Sequence, residues 1–383
     1  LERNKLQKEY ESINSDDFKN HSFLSEELLV PNLNKTDGSR INMFCSHLLQ
    51  NVTLKSAEIP RVFTGFENQV GIYSSSYKKA NADFKIIKII HKNKLNRLYV
   101  IQYLESKMYD ILEVKYATNI TESYGYAIHD KIQNHEEGSV VKKDSLIFRS
   151  DMHDDNLNLR FGINLKAAFM AYKGLTTEDA IVISRSAANR LTTYSIEEVT
   201  INVNDNDILC NIYGNNSKYR AFPKIGGLVK DQILVARRRQ INDSILFDGN
   251  FDNLNKVNFS TDTLFYSEGM LIDVDIFCNN PNLKDLEDLP YYRQILKSYE
   301  LQQKYYNEIN DTLSPIVNEK SNTFSGDLSY IYKRAKDILD PNIKFKSSDK
   351  NDFSNFLIRF FVLKEKSAVI GSKITNRFGK PNI

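Results

Sequence analysis

The stretch Phe161-Gly-Ile-Asn-Leu-Lys-Ala-Ala-Phe-Met-Ala-Tyr-Lys-Gly-Leu-Thr-Thr-Glu-Asp-Ala-Ile-Val-Ile-Ser184 places two apolar runs on either side of a polar turn. Leu165–Tyr172 has the length and bulk of a buried strand. Ala180–Ile183, with three β-branched residues, reads the same way. Gly174 in the turn suits a positive φ or a close backbone approach. The adjacent carboxylates Glu178 and Asp179 then stand at the mouth of a buried strand, which must open onto water, a cation or a basic ligand. Taken alone, the pair also suits a solvated turn.

Composition bounds what surrounds this stretch. A chain of 383 residues with 41% hydrophobic content has ample material for two or three folded domains. A net charge of +2 confines any nucleic-acid contact to a local patch. The three cysteines, Cys45, Cys210 and Cys278, are far apart, which argues against a disulfide framework or zinc cluster and suits a reducing compartment. No apolar run reaches the roughly eighteen residues of a membrane span, and no secretory leader opens the sequence, so a cytoplasmic location is expected. Leu1 in place of Met suggests a trimmed chain, and the heavy use of Asn, Lys and Ile suggests an AT-rich genome.

Working outward, residues 1–36 read as a peripheral segment with a short helix over Leu6–Ile13. Asp37 or Ser39 can cap a helix running to about Gln50. Arg40 falls in its first turn, against the helix dipole. It calls for a compensating anion, which Asp37 or a phosphate would supply. Short β-rich runs follow at Val70–Tyr73, Phe84–Ile90, Leu98–Tyr103, Tyr109–Val114, Tyr124–Ile128 and Val140–Phe148, then Ser195–Val203. Residues 205–355 form a candidate second domain. It holds the basic run Arg237–Arg239, a strand over Gly269–Phe277, a helix with Tyr292, Ile295, Tyr299, Tyr306, Ile309 and Leu313 on one packing stripe before Pro315, and another helix near Leu328–Leu339. The strand Phe356–Leu363 leads to a Gly turn carrying Lys373 and Arg377. That turn is apt for RNA phosphates, or equally for a solvated basic loop.

Three ordered stretches resemble the β subunit of multisubunit DNA-dependent RNA polymerases. The central one is similar to Gly-x-Asn-x-x-x-Ala-Phe-Met-Pro-Trp-x-Gly-Tyr-Asn-Phe-Glu-Asp-Ala-Ile-x-x-Ser. It matches at Gly162, Asn164, Ala168, Phe169, Met170, Gly174, Glu178, Asp179, Ala180, Ile181 and Ser184, and departs at Ala171, Tyr172 and Leu175–Thr177. The segment from Asp37 to Val52 resembles Asn-Arg-x-x-Met-x-x-Asn-Met-x-Arg-Gln-x-Val at Arg40, Met43, Gln50 and Val52, with Thr64-Gly65-Phe66-Glu67 following. Ser46 and Leu49 depart from it. The end resembles x-Gly-Asp-Lys-x-x-x-Arg-His-Gly-Asn-Lys-Gly at Gly371, Lys373, Arg377 and Gly379, with Ser372 for Asp and Phe378 for His. Lys380 stands near the second family lysine.

The resemblance implies a β-rich α+β fold: part of a double-psi β-barrel with an inserted flap or wall module and peripheral helices. Residues 37–204 would be the hybrid-binding barrel part, 205–355 the flap-like insertion, and 356–383 the return to the barrel with its basic loop. It implies a fragment of a DNA-directed RNA polymerase, as in the split β subunits of giant phages, active only when assembled. Partners would be β′-like chains, other β fragments, a promoter-specificity factor, DNA, RNA and NTPs, in the host cytoplasm if the source is viral. Glu178, Asp179 and Lys373 would be catalytic, with Glu178 and Asp179 assisting a second Mg2+ and the first Mg2+ held by the β′-like partner. Arg40, Gln50, Arg377 and Lys380 would bind substrate or RNA. Two rivals are a catalytically silent scaffold of the same fold and a metal-dependent nuclease using Asp154, Asp155, Asp205 and Asp207. His153-Asp154-Asp155 and Asp205-x-Asp207 each lack the further ligands that zinc or the polymerase magnesium loop requires.

Overall fold

The computed structural model describes residues 26–72, 76–121, 125–205, 207–215, 219–240, 260–279, 291–345 and 355–382. The helix expected over Leu6–Ile13 lies outside them. Two 3-10 turns, Glu27–Leu29 and Leu33–Lys35, precede helix α1 (Gly38–Leu49) and the short α2 (Glu67–Ile72). Strands β1 (Tyr77–Lys79), β2 (Phe84–His91), β3 (Arg97–Tyr103), β4 (Tyr109–Val114), β5 (Ala117–Thr121), β6 (Gly125–Ile132), β7 (Val140–Val141) and β8 (Leu146–Ser150) follow. Helix α3 (Arg185–Arg190) leads into β9 (Thr193–Val203), β10 (Asp207–Cys210), β11 (Ile233–Gln240), β12 (Ser260–Tyr266) and β13 (Met270–Cys278). Then come α4 (Arg293–Asn318), α5 (Gly326–Leu339), the long β14 (Phe356–Lys366) and the hairpin β15 (Ile374–Thr375) and β16 (Pro381–Asn382). The β-rich α+β class expected from the sequence is the one observed.

Two four-stranded sheets, ordered β1-β8-β6-β5 and β4-β3-β2-β7, share one core. A bulge between Ile86 and Lys88 lets β2 serve two cores. Before it, Phe84 and Ile86 face the core between these sheets. Beyond it the alternation is reversed, and Ile90 faces the helices instead. In the sheet β13-β14-β9, β14 pairs with β9 through eleven residues, from Phe356 opposite Val203 to Lys366 opposite Thr193.

Helix α4 ties these layers together. Its first turns bury Ile295 and Leu296 against Phe356, Phe360 and Ile201. Its later turns bury Tyr306, Ile309 and Leu313 against Ile90, Leu98 and α5. The apolar stripe is therefore a packing seam, as expected. In its later turns α4 shares a core with β2 and β3. Two glutamines of α4 satisfy backbone groups, Gln302 those of a β13 residue and Gln294 those of the bend at Ala221 and Phe222. Gln302 accepts from Ile276 N at 2.8 Å and donates to Ile276 O at 2.9 Å. Gln294 accepts from Ala221 N at 2.7 Å and donates to Phe222 O at 3.1 Å. Lys92, at the β2–β3 turn, donates to Asp273 at 2.6 Å and Asp275 at 2.7 Å, fixing that turn to β13. Burial works against the charge on Lys92, but the two carboxylates outweigh it and raise its pKa.

Several local expectations are corrected. Val70–Ile72, read as the start of a strand, ends α2, where Phe66 O accepts from Val70 N at 2.9 Å; Tyr73 lies outside the described residues. Helix α4 does not stop before Pro315 but runs through it to Asn318, because proline removes one N–H while the packed stripe holds the last turn. The largest correction concerns Leu165–Tyr172 and Ala180–Ile183. Both lie outside every helix and strand and belong to no ladder among the described residues. Leu165, Phe169, Met170, Tyr172, Ile181 and Val182 are exposed, Phe169 fully so. An apolar run reports that a segment suits burial; the covering surface must come from elsewhere.

Gly269 begins the β13 edge at φ +117°, and a Cβ there would overlap the Leu363 carbonyl on β14. Gly269→Ala therefore combines a forbidden φ with a clash against fixed backbone. It is expected to destabilise the chain by about 3 kcal/mol, read as a lowered urea midpoint at unchanged slope.

Candidate nucleic-acid interface

Helix α1 starts because the Asp37 carboxylate accepts from Ser39 N at 3.1 Å, the capping expected from the sequence. Its inner face buries Phe44 and Cys45 with Leu29 and Val30. Its outer face leaves Arg40, Met43 and Gln50 exposed, with Arg40 Nη1 at 3.6 Å from Met43 Sδ.

The chain's other end returns to this helix. The hairpin β15–β16 turns through Asn376, whose Oδ1 accepts from Phe378 N at 2.9 Å and Lys380 N at 3.2 Å. Gly379, at φ +71°, lies directly on α1, where a Cβ would overlap Arg40 O and Phe44 N. Thr375 Oγ1 is 3.4 Å from His47 Nδ1. Arg40, Gln50, Lys373 and Lys380, far apart in sequence, thus belong to one assembly of helix and hairpin, all four side chains exposed.

Arg377 is placed differently. Its guanidinium points inward, donating to Leu29 O at 2.6 Å, to Val62 O and to the fully buried Glu67 at 3.2 Å, and lies over the Phe161 ring at 5.1 Å. Glu67 also accepts from Thr64 N at 2.9 Å, Thr64 Oγ1 at 3.2 Å and Gly65 N at 2.8 Å. Arg377 is therefore a clasp holding the hairpin to the core. The Thr64-Gly65-Phe66-Glu67 signature encodes its counter-charge, a role sequence reasoning missed.

Glu178 and Asp179 stand apart, on the exposed segment. Asn164 anchors its beginning, donating to Glu58 from N at 2.9 Å and from Nδ2 at 3.0 Å, while Arg190 pairs with the same carboxylate. These hydrogen bonds, led by the backbone one, lower the Glu58 pKa. Beyond Asn164, Thr176 and Thr177 hydroxyls donate to Met170 O at 3.2 Å and Gly174 O at 3.3 Å. Glu178 itself sits at φ +53° in a turn closed by Ala180 N on Thr177 O at 3.0 Å. A left-handed non-glycine residue bearing an exposed carboxylate is a strained presentation of charge. Among the described residues no hydrogen bond or ion pair joins this turn to the α1–hairpin assembly. The turn offers two adjacent carboxylates, which suits a cation held mainly by other ligands.

The four nuclease candidates are not presented alike: Asp155 and Asp205 are exposed, whereas Asp154 and Asp207 are buried. Asp207 is fully buried against Arg239 at 2.9 Å, with Arg237 at 3.7 Å, which also gives part of the basic run an internal role. Asp154 caps its own loop through Asn156 N at 2.9 Å and Asn158 N at 2.8 Å, and Asp155 pairs with Arg149 at 2.9 Å. Among the described residues no three His, Cys, Asp or Glu side chains converge on a metal position. His153 is buried, with Nε2 at 2.6 Å from Ser76 Oγ.

With this geometry in place, comparison with known proteins is informative. The family model of RNA polymerase Rpb2, domain 6, matches residues 84–381, and the chain belongs to that family. Arg40 and Gln50 lie before the matched range; Glu178, Asp179, Lys373, Arg377 and Lys380 lie within it. The chain is similar to the DNA-directed RNA polymerase subunit beta of Karelsulcia muelleri, 26% identical over 204 residues, which is 51% of this chain and 15% of the relative. It is also similar to that of Thermosipho melanesiensis, 31% identical over 175 residues, 44% of this chain and 14% of the relative. The chain therefore aligns with a small part of each relative's length.

Two predictions follow from the buried groups. Burial holds His153 down to about pKa 4, against about 6.5 in an unfolded chain. Between those values the unfolded state carries the extra proton. Stability should fall as pH drops from 6.5 toward 4, by up to about 3 kcal/mol, and urea midpoints of wild type and His153→Gln across that window measure it. Arg377→Met leaves the Glu67 carboxylate buried without its cation. It is expected to destabilise the fold by about 3 kcal/mol and to loosen the hairpin, seen as faster amide exchange over residues 374–382.

Proposed function

We propose that the chain is a piece of the β subunit of a DNA-directed RNA polymerase and works in template-directed RNA synthesis together with a β′-like chain. The observation that carries this reading is the docking of the Gly379 turn onto the Arg40 turn of α1. It sets the residues matched by two separate family stretches on one exposed, cationic surface. On this reading the region around 161–184 and β9/β14 belongs to a double-psi β-barrel completed by partner surface, which accounts for the exposed apolar run. The β10–β12 sheet with α4 corresponds to the flap-like insertion.

The roles on this reading are those that the family resemblance implies, Arg377 excepted. Arg40 neutralises phosphate on the incoming nucleotide, and Gln50 and Lys380 line the RNA. Lys373 holds the RNA 3′ end, so that its hydroxyl is positioned toward the α-phosphate. Arg377 acts as a positioning residue through Glu67. Glu178 and Asp179 are the groups that would steady the nucleotide's Mg2+, which when bound supplies charge neutralisation on the triphosphate. The turn's two exposed carboxylates fit a water-mediated contribution to such an ion.

The test uses the assembled complex and single-nucleotide extension on an RNA–DNA scaffold. Glu178→Ala with Asp179→Ala should slow addition roughly tenfold or more, equivalent to a transition-state loss above about 1.4 kcal/mol. The magnesium requirement should rise while DNA affinity stays near wild type, because template affinity rests on basic contacts. An unchanged rate and unchanged magnesium dependence would favour a silent scaffold of the same fold.

A further inference from the structure

The outer row of α1 contains a side chain to which neither the motifs nor the family match gives a role. Residues 40, 43, 47 and 50 share one face of the helix by spacing, so His47 stands between Met43 and Gln50 in the row that begins at Arg40. The ring is half-buried beneath the hairpin, with Nδ1 at 3.4 Å from Thr375 Oγ1. Among the described residues its Nε2 carries no hydrogen bond. The Thr375 hydroxyl has alternative acceptors in Asn376 O at 3.2 Å and Lys380 O at 3.3 Å, so it can rotate to donate elsewhere.

We propose that His47, Lys373 and Thr375 form a phosphate subsite on the outer face of α1 that takes an RNA phosphodiester. The proposal rests on the polymerase reading and adds a contact to it. The surrounding charges support it. From the hairpin come Lys373, Arg377 and Lys380, with Arg377 turned away to Glu67. On α1 itself Arg40 lies two turns earlier. Glu26 and Glu27 act on Cys45, on the helix's core side. The ring thus meets cationic charge and no facing carboxylate. Burial first, and Lys373 second, hold its pKa below the usual imidazole value. An arriving phosphate reverses this balance, because it pairs with Lys373 and with a protonated ring together. Phosphate binding and proton uptake are then linked: each favours the other by the same factor. The position in the last turn of α1 adds a further preference for a cation there.

The sign follows directly. RNA affinity should rise as pH falls through the range where the free ring is neutral and the occupied ring is protonated. In the assembled complex, affinity for RNA on a DNA scaffold is measured between about pH 8 and pH 5.5, spanning the ordinary imidazole range. Wild type should tighten about fivefold or more relative to His47→Gln, whose profile should lack this component. His47→Lys should bind tightly at both ends, which also shows that the helix tolerates replacement. A His47→Gln profile superimposable on wild type, or a His47→Lys variant no tighter than His47→Gln at pH 8, overturns the subsite. Arg40→Ala and Lys373→Ala separate the two levels of the argument. If neither weakens RNA binding at any pH, the polymerase-site reading fails. If both do while His47→Gln keeps the wild-type profile, only the subsite fails.

Discussion

The β9–β14 ladder is the constraint on which the rest depends. Its eleven pairs join strands separated by the whole of β10 to α5, and closing so long a loop is entropically unfavourable until the ladder and its core are both in place. The ladder's far end sets the geometry of everything beyond it. Lys366 lies opposite Thr193, Thr192 Oγ1 is 2.9 Å from Ser367 Oγ, and Lys55 N donates to Thr192 O at 2.8 Å. The strand emerging from β14 is thereby directed toward the segment that follows α1. From there the hairpin can reach the helix, and Gly379 and Arg377 lock it: one by the absence of a side chain, the other by a buried charge.

That interdependence explains what could be read in the sequence. β4 is found at Tyr109–Val114 as expected, and β3, β9, β13 and β14 lie within a few residues of their expected bounds, because alternation and β-branching are local signals. The cap at Asp37 was legible for the same reason. The failures are non-local. Val70 carries a β-branched side chain but is drawn into α2, where it joins the core beneath α1. Pro315 reads as a stop, yet Leu313 and Ile316 are held by β2 and α5. Nothing adjacent to Arg377 in sequence reveals that Glu67 waits for it. Its identity as a charged residue was visible, whereas the direction of its side chain was not.

The site combines two ways of handling charge. Glu67–Arg377 and Lys92 with Asp273 and Asp275 are sequestered, and their value lies in fixing one segment against another at a desolvation cost. Arg40, Lys373, Lys380, Glu178 and Asp179 are left in solvent, where a charge costs little to keep and can act on a ligand. Family matching by residue type merges the two groups; the coordinates separate them. The same separation gives Arg237 and Arg239 an architectural share through Asp207, inside a run that looks uniformly basic in the sequence.

The strand-mimicking glutamine of α4 has a consequence for assembly. β13 is an outer strand of its sheet, and an open outer strand invites pairing with a foreign one. Here the backbone groups of two of its residues, Leu271 and Ile276, are already taken. Gln302 serves both groups of Ile276, while Gly226 N donates to Leu271 O at 2.7 Å and Leu271 N donates to Gly227 O at 3.0 Å. At these two positions a strand added to the sheet finds no free backbone partner. A neighbouring subunit approaching these positions must engage side chains, so contact there is selected by shape and charge, and strand recruitment is disfavoured.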